Sequence, residues 1–126
     1  MKKENKKITE LVKTFEDARK LTGRPDVPDF SNLPTDMRKH FEAQYKMIVI
    51  AEALNEGWIP DWDNYNEYKY YPWFEMSPSG FAFVASSCDI AFAIAGSGSR
   101  LKFRTHELAE YAAKQFIDIW KDIQIA

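Results

Sequence analysis

The chain has 126 residues, 45% of them hydrophobic and 29% charged, with a formal net charge of −2, the balance of one soluble globular domain. That excludes whole-chain disorder and collagen-like or coiled-coil rods, and it excludes a domain-wide basic footprint for nucleic acid. No apolar run approaches the roughly 18 residues of a spanning helix, so a membrane protein is not expected either.

In chain order, Ile8, Leu11, Val12, Phe15 and Ala18 recur at helical spacing and predict an amphipathic helix from about Ile8 to Thr22, stopped by Gly23 and Pro25. The following RPDVPDFSNLP reads as an extended tether. Thr35 or Asp36 can cap a second helix lasting to Glu56, with Gly57 as its stop. Its Met47–Ala51 run is apolar all round, which predicts the central buried helix. From Tyr68 the period becomes two: Tyr68, Tyr70, Phe74 and Met76 share one strand face, and Lys69, Tyr71, Trp73 and Glu75 the other. Pro72 argues for an edge strand or a bulge. Ser77-Pro78-Ser79-Gly80 predicts a hairpin turn into a strand from Phe81 to Ser86, with an apolar continuation to Ala95. After a turn at 96–99, Arg100–Arg104 is expected as a third strand, Leu101 and Phe103 inward and the three cations outward. Thr105 caps a last helix striped by Leu108, Ala112, Phe116, Ile119 and Ile123. The expected fold is therefore α+β, a small three-stranded antiparallel sheet packed with helices in the order α-α-β-β-β-α. Residues 1–24 form an arm, 25–34 a proline-rich tether and 35–126 the α-β-β-β-α domain.

Aromatic residues are abundant, with 9 Phe, 6 Tyr and 4 Trp, and they concentrate in residues 58–74. Large stiff rings make good anchors for a partner at small entropic cost. Trp58, Trp62, Tyr65, Tyr71 and Trp73 are accordingly the candidate partner-binding residues, set against the ordinary use of such rings to close a small core. Arg100, Lys102 and Arg104 are the candidate nucleic-acid contacts, because cations beside exposed rings hold single strands on sheet surfaces. The α–β–β–β–α order is also that of double-stranded-RNA-binding domains. Where that family carries lysines at the start of its last helix, however, this chain has Thr105, His106, Glu107 and Glu110.

Asp61, Asp63 and Glu67 are the best carboxylate cluster, but Asn66 and Pro72 stand where a calcium loop needs Gly and Glu. No metal site and no cofactor is expected. Cys88 is alone, so an intrachain disulfide is excluded. His40, His106, Cys88, Ser97 and Ser99 form no convergent catalytic set in sequence, and no enzyme is expected. MKKENKK is followed by an amphipathic helix rather than an apolar signal core, so a cytoplasmic location is expected.

The strings MIVIAEALNEGWIPDWDN, KYYPWFEM, SGFAF and GSRLKFRTHELAEYAAKQFIDIWKDI, with PDFSNLP before them, resemble a family of small uncharacterised proteins from prophages and mobile elements of gut Bacteroidales. The resemblance runs from about Pro25 onward. It implies a cytoplasmic accessory protein and no known activity, cofactor or catalytic residue. The expected function is a non-enzymatic interaction module that binds a protein partner through 58–74. The alternative is a nucleic-acid-binding accessory protein using the basic strand. The N-terminal helix can dock on its own domain or swap onto a second copy as a homodimer.

Overall fold

A computed structural model describes residues 6–77, 80–89 and 98–125. The first lysines, the centre of the 77–80 turn, the apolar stretch 90–95 and the start of the 96–99 turn lie outside the described residues.

The expected first helix is two: α1, Ile8–Leu11, and α2, Phe15–Thr22. The break is made by a capping box. Thr14 Oγ1 accepts the Asp17 N–H at 3.1 Å, while Asp17 Oδ2 accepts the N–H groups of Thr14 and Lys13 at 3.1 and 3.0 Å. The interruption turns two carbonyls toward the helix at residues 106–115. Tyr111 Oη donates to the Val12 carbonyl and Gln115 Nε2 to that of Lys13. Val12 and Ala18 are fully buried, so the arm belongs to the core of its own chain. Gly23, at φ +72°, ends α2 in the left-handed conformation that favours glycine. The tether is held by the Tyr45 hydroxyl on the Pro25 carbonyl and by Arg38, which donates to the carbonyls of Ser31 and Leu33.

The central helix is α3, Thr35–Leu54. It buries Ala43, Met47, Val49, Ile50, Ala51, Ala53 and Leu54, with α2 and α5 against it. Strands β1, Lys69–Ser77, and β2, Gly80–Asp89, pair antiparallel from Lys69↔Asp89 to Ser77↔Gly80. One extra β2 residue is inserted between the Trp73↔Ala85 and Phe74↔Phe83 pairs, a bulge that re-aims the ribbon. Helices α4, His106–Gln115, and α5, Ile117–Gln124, replace the single last helix and break at Phe116. Thr105 caps α4 as expected, accepting the Leu108 N–H. α4 lies against both strands.

The fold is α+β with a two-stranded antiparallel sheet, and the third strand does not form. Residues Ser99–Leu101 make a 3-10 turn, and only Phe103 pairs with β1, exchanging both backbone bonds with Tyr70 at 3.1 and 2.8 Å. The reason lies on β1. A residue's N–H and C=O share one edge and alternate along a strand, so Tyr70, Pro72, Phe74 and Met76 all aim away from β2. The next pairing beyond Tyr70 would need a donor from Pro72, which has none. Pro72 sits at an edge position as the sequence suggested, and it removes no bond from the β1–β2 ladder.

Candidate interaction surface

The two faces of β1 have different fates along their length. Tyr70 and Phe74 pack on the core; Phe74 stacks on Phe81 with centroids 4.7 Å apart and meets Trp120 at 5.3 Å. Tyr68 and Met76, at the ends of the same side, are exposed. On the outer side, Lys69 is fully buried and Tyr71 half-buried, whereas Trp73 is 57% exposed and Glu75 is exposed. The outer face is thus closed at its start and open at its end.

The closure is built by residues 58–67 and by Lys102. Glu67 latches the loop. Its Oε1 accepts the Asp61 N–H at 2.7 Å, its Oε2 accepts the Trp58 indole N–H at 3.3 Å, and its carboxylate lies 3.3 Å from Lys69 Nζ. Lys69 Nζ also donates to the carbonyls of Asn64 and Glu67 and lies 5.3 Å from the Trp62 ring centroid. Trp62 in turn donates its indole N–H to Ser99 Oγ at 2.6 Å, stapling the loop to the 3-10 turn. The Asp61 and Glu67 carboxylates therefore serve as turn and latch groups: Asp61 Oδ1 accepts the Asp63 N–H, and Glu67 holds the Asp61 N–H, Trp58 and Lys69. Among the described residues no group of three or more His, Cys, Asp or Glu could hold a metal ion. No described helix is long and apolar enough to cross a membrane.

Of the five aromatic candidates, Trp58 and Trp62 are half-buried wall residues with their indole N–H groups engaged. Tyr71 lies under Lys102, and Tyr65 and Trp73 are exposed. Opposite Trp73 on β2 stand Val84 and Ala85, both exposed. Beside it, a hollow of about 240 Å³ runs along the outer edge of β1, bordered by Pro72, Phe74, Met76, Leu101 and Trp120. The Trp120 indole N–H is buried with no acceptor among the described residues.

The three cations do not share an outward face. Arg100 is exposed on the 3-10 turn, Lys102 is 0% exposed, and Arg104 is exposed but paired with Glu56 at 2.9 Å. The expected alternation fails because the side carrying Lys102 looks onto the closed end of β1. Asn55 fixes this arrangement. Itself buried at the end of α3, it donates Nδ2–H to the Lys102 carbonyl at 2.8 Å and accepts the Arg104 N–H on Oδ1 at 2.9 Å. No sequence motif marks that contact, which joins residues 47 and 49 positions apart.

Comparison with protein-family models, curated proteins and solved structures finds no match. One further chain of polar groups lies outside this surface: Ser86 Oγ hydrogen-bonds His106 Nδ1, and His106 Nε2 lies 2.8 Å from Glu110 Oε1. It ties β2 to the start of α4. Glu110 stands four residues after His106 on the same helix, a spacing that puts the two on one face, whereas no local pattern links His106 to Ser86, 20 positions away.

A second polar cluster lies at the end of α3. The Arg24 guanidinium, just past the end of α2, grips Glu52 through Nε at 2.8 Å and Nη2 at 3.3 Å. The hydrogen-bonded carboxylate raises the guanidinium's proton affinity further above its already high value. Glu52, Ile48 and Asn55 floor a hollow whose walls are Trp58, Ile59 and Pro60 on one side and Ser99 and Arg100 on the other.

Proposed function

We propose that the chain is a non-enzymatic interaction module of mobile-element origin that binds a protein partner through the open end of β1. The observation that carries this reading is Trp73. It is a large ring left 57% exposed, on a strand whose other outward residues are covered before it. Exposed Val84 and Ala85, opposite it on β2, extend its apolar surface, as at an interface centre. The neighbouring edge adds direction. Phe74 and Met76 aim their backbone groups away from β2 into the hollow beside Leu101 and Trp120, an arrangement that suits an added strand. The alternative of nucleic-acid binding draws less support, since Lys102 is buried and Arg104 is paired.

Affinity capture from cells bearing the element tests the proposal when run in parallel with wild type, Trp73→Ser and Lys13→Ala. A protein recovered by wild type and by the lysine variant, and at least about tenfold less by the tryptophan variant, is the expected result. Recovery indifferent to Trp73→Ser overturns it.

A further inference from the structure

The hollow at the end of α3 has a volume of about 310 Å³, at the lower end of the range of small-molecule sites, about 300–1,000 Å³. Its body is apolar, lined by Ile48, Trp58, Ile59 and Pro60. Its polar groups are few and mostly committed. Both ends of the Asn55 amide are taken by the backbone of Lys102 and Arg104. Arg24 and Glu52 form a two-point ion pair that cancels within the wall. Arg100, by contrast, lines the hollow and makes no ion pair or hydrogen bond among the described residues. Ser99 beside it accepts the Trp62 N–H and keeps its own O–H to donate. The lining thus carries one uncompensated positive charge against an apolar body.

We propose that this hollow binds a small monoanion with an aromatic or branched apolar body, its carboxylate held by Arg100 and Ser99. A planar guanidinium suits a carboxylate, which it can engage through two parallel N–H groups. A cation would meet Arg100 directly, and a neutral body would leave it unanswered. The walls need little rearrangement: Trp58 is tied to Glu67, Trp62 ties the loop to Ser99, and the floor is α3 itself. Preformed walls keep the ordering cost of binding small.

Calorimetric titration with three ligands sharing one body tests this: indole-3-acetate, its neutral amide indole-3-acetamide, and the cation tryptamine. The acetate is expected to bind with a Kd below about 1 mM, the amide at least about tenfold more weakly, and tryptamine more weakly still. Arg100→Gln should bring the acetate to the level of the amide. Ile59→Glu, at a wall position 78% exposed, should weaken the acetate without weakening tryptamine. Equal binding of acetate and amide, an unchanged acetate affinity in Arg100→Gln, or no acetate binding at about 5 mM overturns the proposal. Trp73 does not line this hollow, so none of these outcomes bears on partner binding at β1.

Discussion

The ammonium of Lys102 lies 3.7 Å from the centroid of the Tyr71 ring, in a place water does not reach. A residue type that ordinarily marks solvent is here part of the seal over the start of β1. Close cation–ring contact in a desolvated setting contributes about 2 kcal/mol or more. Tyr71→Leu keeps apolar bulk and removes the ring, so it should lower the unfolding free energy by about 1–2 kcal/mol. Urea denaturation measures the change; a loss below about 0.3 kcal/mol would mean that the ring serves only as filler.

Asn55 should be costlier than its size suggests. Asn55→Ala leaves the Lys102 carbonyl and the Arg104 N–H without their partner at a buried helix end, at about 1–3 kcal/mol for each stranded group. A drop of about 2–4 kcal/mol is expected. Hydrogen exchange at Arg104 should accelerate, while that of α2 amides reports only the global change.

Acid should loosen the arm before the body. The Lys13 and Thr14 N–H groups and the Thr14 hydroxyl hold the Asp17 carboxyl below the ordinary carboxylate range. A group with a depressed folded pKa contributes stability that is present above its unfolded value, near 3.8, and is lost as pH falls through the lower folded value. Amide exchange in α2 measured between pH 5 and pH 3 should therefore rise relative to α3, and Asp17→Asn should remove that difference. An α2 profile that tracks α3 in both proteins counts against the capping box as the arm's anchor.

The end of α3 stores its own test. Glu56 and Gly57 are both left-handed, at φ +51° and +82°, and they turn the chain into the Trp58 wall. Gly57→Ala meets no atom within 4 Å, so its cost is backbone strain alone, about 1 kcal/mol. A thermal melt lowered by several degrees with unchanged near-ultraviolet dichroism is the expected signature.

Much of this fold is legible in short-range pattern. The apolar run Met47–Ala51 finds the central helix, Gly23 and Thr105 find their helix ends, and the period-two run from Tyr68 finds the hairpin with its edge proline. What failed was decided between segments. Leu101 and Phe103 alternate like a strand, but pairing needed a donor that Pro72 lacks. Lys69 and Lys102 look outward by charge, yet the Glu67 latch and the Tyr71 ring, set by chain folding, take them in. The Thr14–Asp17 box was present in the letters, but the apolar stripe running through Val12 masked it. The aromatic segment was visible as a cluster. Its division into engaged Trp58 and Trp62 and open Trp73 depends on Glu67 and Ser99, which no local pattern links to them.

Pro72 also acts as punctuation for any guest strand. Along that edge it presents a carbonyl with no donor beside it, while Phe74 and Met76 offer both. A guest shifted toward Tyr70 meets the missing donor and then a place Phe103 already occupies; one shifted the other way runs off the turn. The usable frame is two residues long. That shortness discourages copies of the hairpin from zipping edge to edge into a growing sheet, and it leaves a correctly phased visitor the Trp73 ring as its landmark.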